Sequence, residues 1–192
     1  MSMSELHKPE WYGECAIISD KYNDYVQIKY KCNGTGTLYD YSLFPGINLI
    51  FMDFNCSDIF HEPIPNKNII EIRHYQKGRV EFELRNNKVF HMKEGELCIN
   101  ALPNVPAAYS FPFGYSVGLS CVIDKDSIDA KTKQIFSYYN IDVLNLGQEL
   151  EIEKKWFLCR TPQRLLHIFD ELYAAKGVEG KDYFRIKLLE LF

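Results

Sequence analysis

The stretch between residues 68 and 101 constrains the fold of this chain most, because it predicts consecutive antiparallel strands. Residues 79–85, Arg-Val-Glu-Phe-Glu-Leu-Arg, place apolar side chains on one face and charged side chains on the other. Successive side chains of a strand point to opposite faces, so this alternation predicts a strand with one buried face. Glycine or asparagine at 76–78, 86–87 and 94–96 favours tight turns. Such even spacing is typical of a sandwich or a jelly roll.

The composition predicts one large core. Of the 192 residues, 46% are hydrophobic and 15% aromatic, including 13 Tyr and 13 Phe. A chain of this kind is not disordered, and its length suits one domain of generous size or a domain with an appended helical module. Sheet packing explains most of the aromatic excess, and an aromatic-lined cavity for a small molecule is the alternative explanation.

Charge and cysteine usage exclude several function classes. The net charge is −4 and no dense run of Lys and Arg is present, so this chain alone is expected to bind nucleic acid poorly. The N-terminal residues contain no signal peptide, and the longest apolar runs fall below the roughly 20 residues of a membrane span. The six cysteines form no C-x-x-C pair. We therefore expect a cytoplasmic protein with reduced thiols.

The pattern along the chain changes from strands to helices. We expect a flexible tail over residues 1–10, a β-barrel over 11–125 and a helical segment over 126–192. The expected strands are 13–19, 25–32, 36–43, 47–55, 69–76, 79–85, 88–93, 96–101 and 115–123. The expected helices begin after Asp126-Ser127, near Val143, at Thr161-Pro162 and near Lys181. The last helix reaches the end of the sequence without a capping residue, so we expect a chain that continues beyond residue 192. A natural end at a docked helix is the alternative.

Several stretches occur in an order and spacing that resemble a known family. They are 44–47 running into 49–54, then 71–81, 94–97, 111–113 with Tyr115 and Gly118, and 184–191. From about Gly34 to its end, the chain is similar to the N-terminal domain of AraC-type transcriptional regulators. The resemblance implies a mainly β fold, a cupin-like antiparallel jelly-roll barrel followed by a helical dimerisation segment.

The same resemblance implies a function. An effector would bind inside the barrel, alter the helices that follow and so change how two DNA-binding halves are presented by a homodimer. The DNA partner would be contacted only through a C-terminal helix-turn-helix domain, and nothing in this sequence matches that domain. The alternatives are a cupin-type enzyme, an isomerase or dioxygenase acting on a small sugar or acid, and a barrel that only scaffolds dimerisation.

The sequence predicts no metal site, cofactor or catalytic residue. Catalytic cupins are similar to one another in a His-x-His pair on one strand, a Glu soon after and a distant His. In the corresponding region this chain has His74 alone, with Ile72 and Gln76 on either side, while His61 and His91 are scattered. A metal site needs three or more converging ligands, and this pattern does not supply them.

The predicted ligand pocket combines one face of a strand with a nearby aromatic cluster. Alternate residues from Ile70 to Gln76 share a face, which would place His74 inside the barrel near its mouth. A buried His74 bonded to the backbone is an equally good interpretation. Arg73, like Arg79, is assigned to the outer face or a turn. The predicted ligand-binding residues are Ile72, His74, Gln76, Tyr109, Phe111, Phe113 and Tyr115.

One apolar helical stripe is assigned to dimerisation. It consists of Leu165, Ile168, Phe169, Leu172 and Tyr173. The stripe would either pack against the outside of the barrel or form a two-fold contact together with residues 183–192. Two successive amphipathic helices leave enough apolar surface that we favour dimerisation.

Overall fold

The structure is a computed structural model that describes residues 12–13, 15–60, 68–84, 88–101, 106–146, 148–152 and 155–192. The predicted tail at 1–10 lies outside these ranges. The described strands are β1 (Ala16–Lys21), β2 (Val26–Tyr30), β3 (Gly34–Phe44), β4 (Ile47–Cys56), β5 (Asp58–Phe60), β6 (Ile69–Leu84), β7 (Val89–Lys93), β8 (Glu96–Ala101), β9 (Pro106–Ser110), β10 (Ser116–Asp124) and β11 (Phe157–Arg160). The described helices are α1 (Ala130–Tyr138), α2 (Gln163–Ala175) and α3 (Lys181–Leu191).

The strands form an antiparallel jelly roll. One four-stranded sheet has the order β4-β10-β6-β8, and a second has the order β5-β9-β6-β7. These are seven strands, with β6 shared by the two sheets and all pairings antiparallel, which is the arrangement of a jelly roll. β1, β2 and β3 extend the first sheet beyond β4, and β11 extends it beyond β8. The predicted fold class, mainly β with C-terminal helices, is therefore confirmed.

Strand β6 belongs to both sheets because it continues through a predicted turn. The sequence predicts a hairpin at 76–78, and this prediction is wrong: the strand runs unbroken from Ile69 to Leu84. Tyr75 pairs with Gly118 and Lys77 with Val117, so residue 76 is an extra residue, a β-bulge, on β6. Gly78 follows with φ +85°, and a Cβ there would lie 2.4 Å from the carbonyl oxygen of Tyr115. The bulge and the glycine let one strand bend from the first sheet into the second.

The first sheet is buried on both faces. On its inner face, Ile50, Phe54 and Val122 belong to the same core as Phe82 and Phe111 inside the roll. On its outer face, Leu49, Phe51 and Ile72 belong to the same core as Phe169 of α2 and Phe184 of α3. Alternate side chains of one strand thus enter two different cores, one within the roll and one between the roll and the helices.

The C-terminal third contains less helix than the sequence predicts. α1 is capped by Asp129, whose carboxylate accepts the backbone N–H of Thr132 at 2.7 Å. The predicted helix at 143–150 is reduced to a single 3₁₀ turn at Gln148–Leu150. α2 starts after Pro162 without a side-chain cap from Thr161. Of the helices in the described ranges, none has the length and apolarity needed to cross a membrane.

Candidate functional site

A cavity of about 70 Å³ lies inside the roll, lined by strands of both sheets. Its apolar wall consists of Leu38, Ile50, Met52, Phe54, Ile59 and Phe111. Its polar lining consists of Glu71, Arg73, Ser120 and the tyrosines 12, 30, 75 and 109. Apolar walls with a few convergent polar groups are the usual composition of a small-molecule site.

Four polar residues of the cavity lining, Glu71, Arg73, Tyr109 and Ser120, form one connected hydrogen-bond network. Arg73 Nη2 donates to Glu71 Oε2 at 2.6 Å and to the hydroxyl oxygen of Tyr109 at 3.1 Å. The hydroxyl of Ser120 donates to the other carboxylate oxygen of Glu71. β6 supplies the two charged residues, β9 supplies Tyr109 and β10 supplies Ser120. The hydrogen bond from Arg73 to Tyr109 therefore links the first sheet to β9 of the second sheet.

Arg73 is the least satisfied member of this network. The residue is only 6% exposed, and its guanidinium carbon lies 5.0 Å from the ring centroid of Phe82 and 5.4 Å from that of Tyr109. Its Nε and Nη1 atoms have no hydrogen-bond partner among the described residues. Burial lowers the pKa of the guanidinium, but the Glu71 carboxylate together with Tyr109 and Tyr75 raises that pKa well above its ordinary value. Arg73 is thus a buried cation with N–H donors that are not paired within the described residues.

The structure places two of the seven predicted ligand residues at the cavity. Tyr109 and Phe111 line it. Phe113 and Tyr115 are 63% and 46% exposed and lie outside it, because the chain turns to the surface after Phe111. The prediction for these two residues is corrected accordingly.

Ile72, His74 and Gln76 do not line the cavity either, and the reason is strand geometry. Ile72 belongs to the core between the sheet and the helices, on the opposite face of β6 from the cavity. An unbroken alternation that places Val80 and Phe82 inside the roll would place these three inside as well. The bulge at Gln76 shifts the alternation by one residue, so the odd-numbered residues before it face inward.

His74 docks helix α2 onto the sheet. Its ring stacks on Phe169 with centroids 4.1 Å apart and an interplanar angle of 9°. The Tyr173 hydroxyl donates to the backbone carbonyl of His74 at 3.0 Å, so the Nδ1–H of the neutral ring is the donor in the second 3.0 Å contact between these residues. Burial lowers the pKa of His74 from 6.5 to about 4. The neutral ring therefore joins β6 to α2.

This environment predicts that acid weakens the fold through His74. Because the pKa in the folded protein lies below that in the unfolded chain, the unfolded chain binds the proton more tightly. The contribution of the neutral His74 ring to the free energy of unfolding is complete above pH 6.5 and is lost as the pH falls toward 4. We expect His74→Gln to remove about 2 kcal/mol of the decrease in unfolding free energy between pH 7 and pH 5. Urea denaturation of both proteins at the two pH values measures this, and equal decreases would show that His74 titrates normally.

The predicted dimerisation stripe packs within the chain. Ile168, Phe169 and Leu172 are each at most 2% exposed, and Leu165 and Tyr173 are partly buried in the same core. Ile168, Phe169 and Leu172 cover the outer face of the sheet, as in the alternative interpretation that the stripe packs against the barrel. A dimer contact through the partly buried Leu165 and Tyr173 stays a prediction.

The predicted absence of a metal site concerns three histidines. His74 lies in the core beside α2, His91 is exposed on β7, and His61 falls outside the described residues. In the part of the chain that the structure describes, no group of three or more His, Cys, Asp and Glu side chains could hold a metal ion.

Comparisons with known proteins give distant structural similarities. No protein-family model and no curated protein matches the chain. It is similar to the AraC-like transcriptional activator CuxR at 8% identity and a TM-score of 0.47, over 83% of this chain and 56% of that one. It is similar to an HTH_3 family transcriptional regulator from Vibrio cholerae at 16% identity and a TM-score of 0.36, over 45% and 50%. It is also similar to the oxalate decarboxylase OxdC of Bacillus subtilis at 12% identity and a TM-score of 0.38, over 78% and 43%.

The chain thus spans about half the length of each of these three proteins. Similarities this low carry no argument about ligand, reaction or partner. The functional argument therefore depends on the cavity and on the strand that carries its charged residues.

Proposed function

We propose that this chain is the effector-sensing domain of an AraC-type transcriptional regulator. A small molecule binds in the cavity of the roll, and its binding changes the position or stability of the helices. The observation that carries the proposal is the double role of β6. Glu71, Arg73 and Tyr75 line the cavity from one face of the strand, while Ile72 and His74 contact the helical core from the other.

The double role supplies a short physical route for the signal. A ligand that binds Arg73 or Tyr75 acts on the same backbone segment that carries His74, and the His74 ring is stacked on Phe169 of α2. If the ligand binds one conformation of this segment more tightly than another, the difference in binding free energy couples the cavity to the helix. Packed cores respond to small displacements by changing between discrete arrangements, so a small shift at the strand can move a helix.

The regulatory assignment also uses the charge of the chain. A net charge of −4 is unfavourable for a DNA-binding surface, so DNA contacts belong to a separate domain of the regulator. Homodimerisation in this proposal uses surfaces other than Ile168, Phe169 and Leu172, since these three side chains are buried. The cavity binds and releases its ligand unchanged, and the domain is not an enzyme.

The experiment is a thermal-shift screen of a small-molecule fragment library followed by hydrogen exchange. The variant Ile50→Phe enlarges a side chain that lines the cavity, and Val117→Phe makes a similar enlargement on β10, away from the cavity. We expect fragments to raise the melting temperature of the wild type and of Val117→Phe, and not that of Ile50→Phe. Bound fragments should also slow amide exchange in α2 (Gln163–Ala175).

Two results would overturn the proposal. Fragments that stabilise Ile50→Phe as well as the wild type bind elsewhere, and the cavity is then not the ligand site. Fragments that bind in the cavity without changing exchange in α2 show that the cavity is not coupled to the helices, which excludes the sensing role.

A further inference from the structure

Taking the proposed function as its premise, the structure also points to a chemical class of ligand. We infer that the cavity takes a small uncharged molecule that presents carbonyl or hydroxyl oxygens to Arg73 and an apolar body to the walls. The cavity residues that carry this inference are Glu71, Arg73, Tyr109 and Ser120.

The unpaired N–H donors of Arg73 favour a ligand with oxygen acceptors. A guanidinium has five N–H donors. In Arg73, Nη2 is bound to Glu71 and Tyr109, while Nε and Nη1, with three N–H groups, have no partner among the described residues. Glu71 is better satisfied, because one oxygen is bound by Arg73 and the other by Ser120. Leaving buried donors unmet is unfavourable, so a ligand rich in acceptors is selected over one rich in donors.

The charge balance favours an uncharged acceptor over an anion. The carboxylate of Glu71 lies 2.6 Å from Arg73 and already balances its charge. No lysine and no other arginine is among the described residues that line the cavity. An anionic ligand would give the site an uncompensated negative charge in apolar surroundings, which is costly.

The size and wall of the cavity limit the rest of the molecule. About 70 Å³ admits a compact molecule of a few heavy atoms or one end of a longer molecule. The apolar wall includes Ile50, Phe54 and Phe111, and the rings of Phe54 and Phe111 are stacked 4.9 Å apart. The ligand therefore combines an apolar body with its oxygen acceptors.

Three probes of nearly equal shape test this inference: butanamide, 2-pentanone and butanoate. At pH 7 we expect butanamide and 2-pentanone to shift the Nε–H resonance of Arg73 in ¹⁵N NMR spectra. Butanoate should bind at least about tenfold more weakly than butanamide, which corresponds to about 1.4 kcal/mol. The variant Glu71→Gln removes the balancing charge and keeps the acceptor for Arg73. In that variant butanoate should bind at least about tenfold more tightly than in the wild type.

The outcomes separate this inference from the proposed function. If butanoate binds the wild type as tightly as butanamide, or if Glu71→Gln leaves butanoate unchanged, the ligand class is wrong while the cavity is still a ligand site. If none of the probes shifts the Arg73 resonance, the ligand class is again wrong, and the fragment screen with Ile50→Phe decides the proposed function. If Glu71→Gln does not fold, the comparison of the three probes in the wild type decides the ligand class alone.

Discussion

Replacing Arg73 with methionine is expected to lower the free energy of unfolding by about 3–5 kcal/mol at pH 7. Arg73 and Glu71 form an ion pair whose side chains are only 7% and 12% exposed. Removing the arginine leaves the Glu71 carboxylate in the roll with the Ser120 hydroxyl as its remaining side-chain donor. An uncompensated buried charge is among the most destabilising consequences of a single substitution. Urea denaturation monitored by circular dichroism measures the loss.

The same strand provides a matched control for this prediction. Arg79 and Glu81 are also an Arg–Glu pair two residues apart, at 2.8 Å, but their side chains are 34% and 30% exposed. We expect Arg79→Met to cost no more than about 1 kcal/mol, because water replaces the lost partner. The double variant Glu71→Gln, Arg73→Met should recover most of the loss caused by Arg73→Met alone. Equal losses in Arg73→Met and Arg79→Met would show that the interior pair is hydrated.

Much of the fold is predictable from local pattern. The alternation at residues 79–85 correctly indicates a strand with one buried face, and the helical stripe from Leu165 to Tyr173 indicates an amphipathic helix. These signals are local, so they survive without knowledge of the tertiary partners. The short strands β5 and β9 were not predicted because they lie beside proline-rich segments, where the signal for a strand is weak.

The candidate site is not predictable in the same way, because it depends on which face of β6 is inside. Before the bulge, over residues 69–75, both faces of this strand are largely buried, so hydrophobicity does not distinguish them. Ile72 and His74 resemble a cavity wall by residue type, whereas Glu71 and Arg73 resemble a solvent-exposed pair. The bulge at Gln76 determines which residues of β6 face the cavity, and a bulge is recognised only from the register with β10. The one sequence signal for it is Gly78, whose positive φ a hairpin turn would also explain.

Replacing Phe169 with alanine is expected to lower the free energy of unfolding by about 3–5 kcal/mol. Phe169 is 1% exposed, and its ring stacks on His74 at the junction of β6 and α2. The substitution removes a buried aromatic ring and leaves a cavity between the helix and the sheet, and the surrounding structure relaxes only partly. Phe113→Ala is the matched control, because Phe113 is 63% exposed and should cost less than about 0.5 kcal/mol. Thermal and urea denaturation of the two variants measure the difference.

The same variant tests whether α2 depends on this contact for its position. If Phe169 holds α2 on β6, amide exchange in α2 should accelerate more in Phe169→Ala than exchange in β4, which lies in the same sheet and is paired on both sides by β3 and β10. Equal acceleration in α2 and β4 would mean that the helix opens only when the roll unfolds. The helix would then have no independent motion for a ligand to control. A selective acceleration shows that the His74–Phe169 contact holds α2 on the cavity strand, and a bound ligand that shifts this strand can then change the position of the helix.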